Sequence, residues 1–343
     1  TVADSVGAEV TRNYDIKYNY GTLEVTKCEA TVTLDNFVGQ KAFVYSNKHV
    51  NISAEDAVLT VVPDIIARSE FAIDYAAETI DVGTDYTYTV HIADKLIADN
   101  FNLKIAGRGS GRIEVKPLDI AVTIKDVMQT YNGEAYILDS YSAIQNISNT
   151  STGLSRDDFE VSFNDAKAGH TDAAGYEYTV AIRIEKRKNY NLSVINSADG
   201  KGTATLFIKK FPIAITTDSA SFVYNGEDRK LKKYSYSALA NSMHTISVIT
   251  VDDDLPFVNR VNTVENEFYF DVRDGAGKSV INNYEIIYKW GTLTVTPRPV
   301  TVTTGTVSRV YDGQPLSYAE ASSGNLCNGH SLLPVSDELG ETE

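Results

Sequence analysis

Cysteine is nearly absent from this chain of 343 residues, since Cys28 and Cys327 are its only two. They stand far apart, and neither belongs to a Cys-x-x-Cys pair or to a Cys/His cluster of metal-ligand spacing. Disulfides and cysteine-held metals are therefore not what organises the fold, which has to rest on packing. Histidine is scarce as well. His49, His91, His170, His244 and His330 fall in different parts of the sequence, so no nucleophile and base are placed together as covalent catalysis requires. No apolar run approaches the roughly 18 residues that would cross a bilayer, and no basic stretch leads into an apolar core at the start. Membrane insertion of this segment is not expected. Positive charge is outweighed, with 31 Lys and Arg against 46 Asp and Glu and a net charge of −15. The acidic residues run along the whole chain, no basic patch is available to neutralise phosphates, and nucleic acid is a poor partner.

What is present points to strands. The chain is longer than a single core usually supports, so two to four domains are expected. Hydrophobic residues at 43% and charged residues at 22% are the balance of a folded protein, not a disordered one. Tyr, at 21 copies, outnumbers Phe at 12, and Thr and Val recur in alternation, which suits pleated, half-buried surfaces.

Three landmarks recur. A Tyr followed by a turn pair appears at Tyr45-Ser46-Asn47, Tyr131-Asn132-Gly133, Tyr224-Asn225-Gly226 and Tyr311-Asp312-Gly313, spaced 86, 93 and 87. An Asn before an aromatic appears at Asn13-Tyr14, Asn100-Phe101, Asn189-Tyr190 and Asn283-Tyr284, spaced 87, 89 and 94. A Gly opening a short alternating strand appears at Gly21, Gly111, Gly202 and Gly291, spaced 90, 91 and 89. One period of about 90 residues accounts for all three, the signature of a tandem array. It divides the chain into the closing part of a unit at 1–26, three units at 27–116, 117–209 and 210–296, and the opening part of another at 297–343. Short joins bearing proline, at Lys116-Pro117, Lys210-Phe211-Pro212 and Pro297-Arg298-Pro299, restrict the backbone between units and suit an end-to-end rod.

Within a unit, alternation predicts a central strand with Tyr86, Tyr88, Val90 and Ile92 on one face. The corresponding sets are Tyr176, Tyr178, Val180, Ile182 and Ile184, and Phe268, Phe270 and Val272 against Glu267, Tyr269 and Asp271. Opening strands carry Val122/Ile124, Ile213/Ile215 and Val300/Val302. Closing strands carry Leu23/Val25, Ile113/Val115, Leu206/Ile208 and Leu293/Val295. Each landmark Tyr is expected to pack into its unit while the turn after it closes a hairpin, and Asp199-Gly200 and Asp274-Gly275 are further expected turns. Ser53 and Ser155 each stand three residues before an acid, the arrangement that caps a helix start, so a turn or two of helix is expected there. The fold class is mainly β: an Ig-like two-sheet sandwich per unit is preferred, with a β-grasp-like sheet carrying one short helix as the alternative.

These motifs resemble the MBG domains that occur in tandem in large bacterial surface proteins. The likeness lies in Val310-Tyr311-Asp312-Gly313-Gln314-Pro315-Leu316 and in the stretch from Asn283 to Thr303, NYEIIYKWGTLTVTPRPVTVT. The unit at 27–116 departs most, with Tyr45-Ser46-Asn47 and Arg112-Ile113 in place of the usual turn and Thr-Leu. The resemblance implies an extracellular, cell-surface or secreted setting and transfers no catalytic residue.

Weighed singly, the candidate sites read as structure. Asp252-Asp253-Asp254 lacks the spacing of a calcium loop and reads as a solvated turn or cap. Asp271 to Gly277 reads as a hairpin, and a Lys–Asn crosslink would need a buried lysine beside an acid. Most Tyr residues belong to the apolar face, which leaves few to stack on sugars. No catalytic, cofactor or metal residue is expected, and no cofactor. The expected role is a non-catalytic spacer or stalk. The alternative is an adhesive array binding mucin, glycan or matrix protein through multiplicity, and the drift of solvent-facing residues between units favours the spacer. Because 1–26 and 297–343 read as complementary part-units, head-to-tail self-association through them is a further expectation.

Overall fold

The computed structural model describes residues 1–316 and 320–333. It is mainly β, with its strands gathered into many small sheets. The chain gathers into two compact units, one formed by Thr1–Ala121, Ile147–Asp158 and Ile182–Ser193, the other by Val122–Asn146, Phe159–Ala181 and Val194–Glu343.

In the first unit the strand Cys28–Leu34 lies between Val58–Val62, antiparallel, and Phe101–Ile105, parallel. A second sheet runs Phe43–Val44, Gly111–Lys116, Gly83–Ile92, Phe71–Tyr75. Alternation sends Ala30 and Val32 of the first sheet and Phe71, Val90 and Ile92 of the second into one core, closed by Val58, Val61 and Ile66. Burial of this kind is the main stabilising term, about 25 cal/mol per Å² of apolar surface. Tyr88 is buried as well, and its hydroxyl donates to the carbonyls of Asp35 (2.6 Å) and Ala57 (3.0 Å). The ring lies over Gly111, where a Cβ would fall 2.3 Å from it, so the Gly landmark here is a matter of space.

In the second unit Phe211–Thr217 lies between Tyr234–Tyr236, antiparallel, and Tyr284–Lys289, parallel. The register repeats that of the first unit: Cys28 faces Phe101 and Phe211 faces Tyr284, each pair 73 residues apart. Ala220–Val223 pairs in parallel with Thr292–Thr296, which pairs on its other side with Asn262–Glu265. Thr245–Val248 pairs with Phe270–Arg273. Two further sheets have the orders Ile144–Ile147, Leu118–Ile124, Tyr190–Asn196 and Phe159–Phe163, Gly175–Ile182, Ala204–Lys209, Val127–Thr130.

Among the described residues α-helix is confined to single turns, Ala54–Ala57, Lys95–Ala98, Ser140–Ala143 and Ile184–Arg187. Ser53 caps the first as expected, its hydroxyl accepting the Asp56 amide at 3.2 Å. Ser155 precedes only a 3-10 turn, Arg156–Asp158, with the Asp158 carboxylate accepting the Ser155 amide at 2.8 Å. None of these turns could lie across a sheet as the helix of a grasp-like fold does.

Several expected strands differ. Leu23 and Val25 form no strand and are 100% and 95% exposed, because nothing pairs with them. Among the described residues Thr301–Thr304 pairs only with Ala321–Gly324 and leaves Val302 exposed, and residues 317–319 and 334–343 of the expected last part-unit lie outside the described residues. The strand through Tyr178 stops at Ile182: Arg183 takes the N-cap of a helical turn, and Ile184 is 80% exposed instead of buried. The strand expected through Phe268, Phe270 and Val272 is broken, since residues 266–269 belong to no strand although Phe268 is buried. Asp271, expected to face solvent, is buried, accepting from the Ser279 hydroxyl at 2.5 Å and paired with Arg273 at 2.9 Å. The turn after it takes its positive φ at Gly277, not Gly275.

Candidate functional site

The landmark tyrosines lead to two recurring clusters of side-chain contacts. Tyr45, Tyr131 and Tyr224 donate their amides to the carbonyls of Lys116, Lys209 and Thr296, at 2.9, 2.8 and 3.0 Å, so each is tied to the end of a closing strand. After Tyr131, Tyr224 and Tyr311 the next residue makes an Asx-turn, in which a side-chain oxygen accepts the amide two residues on. Asn132 accepts from Glu134 (2.9 Å), Asn225 from Glu227 (3.1 Å) and Asp312 from Gln314 (3.1 Å). Gly133, Gly226 and Gly313 then adopt φ of 82°, 83° and 81°, and Asn47 takes the same seat at 56°. The expected hairpin does not form. The strand before Tyr131 runs parallel to Ala204–Lys209, so the turn redirects the chain instead of reversing it.

Asparagine supplies the second half. Asn189 accepts the Val82 amide at 3.0 Å through its Oδ1 and donates its Nδ2 to the Asp81 carboxylate at 2.9 Å. Asn283 does the same to the Ala173 amide at 2.8 Å and the Asp172 carboxylate at 2.9 Å. Both asparagines are buried. Beside each, the landmark aromatics meet: Tyr45 and Tyr190 have centroids 5.3 Å apart at 78°, and Tyr131 and Tyr284 are 5.6 Å apart at 73°. Edge-to-face pairs of this geometry contribute about 0.5–1.5 kcal/mol beyond their burial. The hydroxyl of the second Tyr is also engaged. Tyr190 donates to Thr152 at 3.0 Å, while the Tyr284 oxygen lies 2.6 Å from Nδ1 of His244, which also stacks on Tyr131.

Electrostatics follow the packing. Lys188, 2.7 Å from Asp81, together with the Asn189 amide, holds the Asp81 carboxyl below its ordinary value. Burial pushes the hydroxyls of Tyr45, Tyr131 and Tyr284 above the usual tyrosine value. The two Asn side chains and the Tyr45, Tyr190 and Tyr284 hydroxyls are each engaged by another protein group, so the arrangement holds segments together. The Asn landmark does not always clamp: the Asn100 side chain donates only to the Leu96 carbonyl at 2.8 Å, and Asn13 is exposed.

The other candidates are scattered. His91 is exposed and 2.6 Å from Asp74, and His49 lies edge-on to Tyr75. His170 is buried, stacked on Tyr176 at 3.7 Å and edge-on to Phe163 at 4.6 Å, and His330 lies beside Tyr224. Asp252–Asp254 forms a 3-10 turn whose Asp252 is paired with Lys232, and that pairing holds its carboxyl below the ordinary value. Among the described residues no three His, Cys, Asp or Glu side chains converge as a metal site. Every lysine is exposed, so a buried Lys–Asn crosslink has no lysine to form it, and both cysteines are free. No helix of the described residues is long and apolar enough to cross a membrane. Asp81 and Asp172 escaped the sequence reading, although their separation of 91 fits the same period.

No family model and no curated protein matches the chain in sequence. Among solved structures, Drosophila N-cadherin EC1-3 aligns over 80% of this chain and 100% of its own at 6% identity and a TM-score of 0.21. The Bacteroides ovatus mixed-linkage glucan utilization protein SGBP-B, solved with a mixed-linkage heptasaccharide, aligns over 82% of this chain and 71% of its own at 11% identity and a TM-score of 0.14. At these scores neither likeness bears on function.

Proposed function

We propose that this chain is a non-catalytic spacer, a tandem array of Ig-like sandwiches of about 90 residues joined end to end, of the MBG type found on bacterial surfaces. The observation that carries the reading is the clamp. Asn189-Tyr190 and Asn283-Tyr284, 94 residues apart in sequence, make the same two amide hydrogen bonds and the same edge-on tyrosine contact to residues of the preceding period. A pair of part-buried hydrogen bonds and a ring contact at each of these two joins resist bending there, which is what a spacer requires. On this reading the cell-surface or secreted setting follows from the resemblance, and partners are met by what the array carries.

Limited proteolysis of the whole chain tests the array. Cleavage near Lys116 and Lys209-Lys210 should release compact fragments, and should quicken in the Asn189→Ala/Asn283→Ala double variant. A single resistant core spanning both joins, or equal cleavage of the two proteins, would overturn the reading. The setting is tested separately, by antibody labelling of intact against lysed source cells.

A further inference from the structure

The central strand is built in two ways. In the first unit Gly83–Ile92 runs unbroken for 10 residues between Phe71–Tyr75 and Gly111–Lys116. Its counterpart in the second unit splits: Asn262–Glu265 stays with the closing strand, Phe270–Arg273 joins Thr245–Val248, and residues 266–269 leave the sheet. The break leaves Oδ1 of buried Asn266 without a hydrogen-bond partner in the protein, so it is not a cost-free variant of a regular strand. At the break an open trough of about 890 Å³ is lined by Thr250, Asp254, Glu265, Glu267 and Tyr269 among others.

A cluster of rings reaches the trough through Tyr269. Tyr269 is 48% exposed and lies edge-on to Tyr288 at 5.9 Å and to Trp290 at 6.0 Å. Tyr288 and Trp290 stack on each other at 4.5 Å and 15°. Strand register shows that these rings are particular to this part of the chain. Tyr288 faces Ile215 as Ile105 faces Val32, so the matching positions in the first unit are Ile105 and, two residues on, Gly107. Trp290 is the only tryptophan of the chain.

We propose that this trough binds an uncharged oligosaccharide. A pyranose ring has one apolar face of C–H groups and a rim of hydroxyls, so its recognition combines aromatic surface with hydrogen-bond acceptors placed at its edge. Tyr269, backed by the stacked Tyr288 and Trp290, supplies the surface, and Asp254, Glu265 and Glu267, which also accepts from the Tyr269 hydroxyl, supply the acceptors. The same carboxylates, with no basic residue lining the trough, repel sulfated, sialylated or uronic sugars. An open trough of this size takes a few sugar units of a chain instead of enclosing a small molecule. A basic peptide is the competing ligand, but charge is spread over the whole molecule, whereas the ring cluster is what sets this site apart. The proposal goes beyond the spacer reading, since a spacer would function without the trough.

Trp290 is a built-in reporter. The whole chain should be titrated with linear neutral hexasaccharides of β-1,4-linked glucose, mannose and xylose, and in parallel with hexalysine and hexagalacturonic acid, while tryptophan emission is followed. The expected result is a saturable change with at least one neutral sugar that persists at high salt and is absent with hexagalacturonic acid. Tyr269→Ala should weaken it about tenfold. The Glu265→Gln/Glu267→Gln pair, which removes charge and no ring, should weaken it less, and Tyr141→Ala should leave it unchanged. The proposal is overturned if no neutral sugar gives a saturable change, if hexalysine alone does so and loses the effect in salt, or if neither Tyr269→Ala nor the glutamine pair alters the affinity.

Discussion

The Asn189 and Asn283 clamps share their hydrogen bonds and differ in what surrounds them. At Asn189 the acceptor Asp81 has a second partner in Lys188, and the tyrosine hydroxyl meets Thr152. At Asn283 no lysine or arginine pairs with Asp172 among the described residues, and a buried imidazole, His244, takes the place of the threonine and fills in against Tyr131. The amide and the ring pair are thus the constant device, while the flanks trade an exposed ion pair for aromatic packing. Burial of rings is worth several times more than an exposed ion pair. The Asn283 clamp should therefore depend more on its rings, and the Asn189 clamp more on its charges.

The largest test of that contrast is truncation of the rings. Tyr131 is 2% exposed and touches two rings, Tyr284 and His244, whereas Tyr45 is 7% exposed and touches Tyr190. Tyr131→Ala should cost about 3–5 kcal/mol in denaturant unfolding, as for a large aromatic removed from a core, and Tyr45→Ala less. Equal losses would remove the distinction between the two clamps.

A smaller effect is expected from the amides. Asn283→Ala leaves the Ala173 amide and the Asp172 carboxylate without their partner, a loss of about 1–3 kcal/mol. Asn189→Ala should cost less, because Lys188 still engages Asp81. The difference is read from the midpoints of the two variants at one pH.

The smallest effect is a pH dependence confined to one clamp. The Asp81 carboxyl is held below its ordinary value, chiefly by Lys188. Such a group stabilises the folded state above the normal carboxylate range, near pH 4, and its contribution disappears as the pH falls through the lowered folded-state value. Lys188→Ala should accordingly lower the melting temperature slightly at neutral pH and leave it unchanged in strong acid. A difference that persists in acid would assign the effect of Lys188 to packing.

Much of the sheet structure was legible because side-chain period reports which face is buried. Tyr88, Val90 and Ile92 alternate and are buried, and Ala30 and Val32 behave alike. Period does not report pairing. Phe268, Phe270 and Val272 alternate without fault and are all buried, yet the strand parts around Asn266–Tyr269, since each half follows a different neighbour. Nor does period report an end: Ile184 continues the pattern of Ile182, and a helical turn starting after Arg183 carries it into solvent. The landmark asparagines were visible as landmarks but not as clamps, because their partners Asp81 and Asp172 lie 108 and 111 residues away in sequence and belong to loops. The trough was missed for a related reason. Tyr269 was read as one outward residue of a regular strand, and period alone does not show that its ring meets Tyr288 and Trp290.

The parallel pairs of strands decide how tension would be met. Phe43–Val44 lies alongside Gly111–Lys116, and Ala220–Val223 alongside Thr292–Thr296, an early strand and a late one pointing the same way. When the two ends of such a segment are drawn apart, the early strand is pulled toward its start and the late strand toward its finish. The two must then slide past each other lengthwise, with the ladder between them loaded in shear, and its hydrogen bonds give way together. An antiparallel pair pulled from adjacent ends would instead open like a zip, one bond at a time.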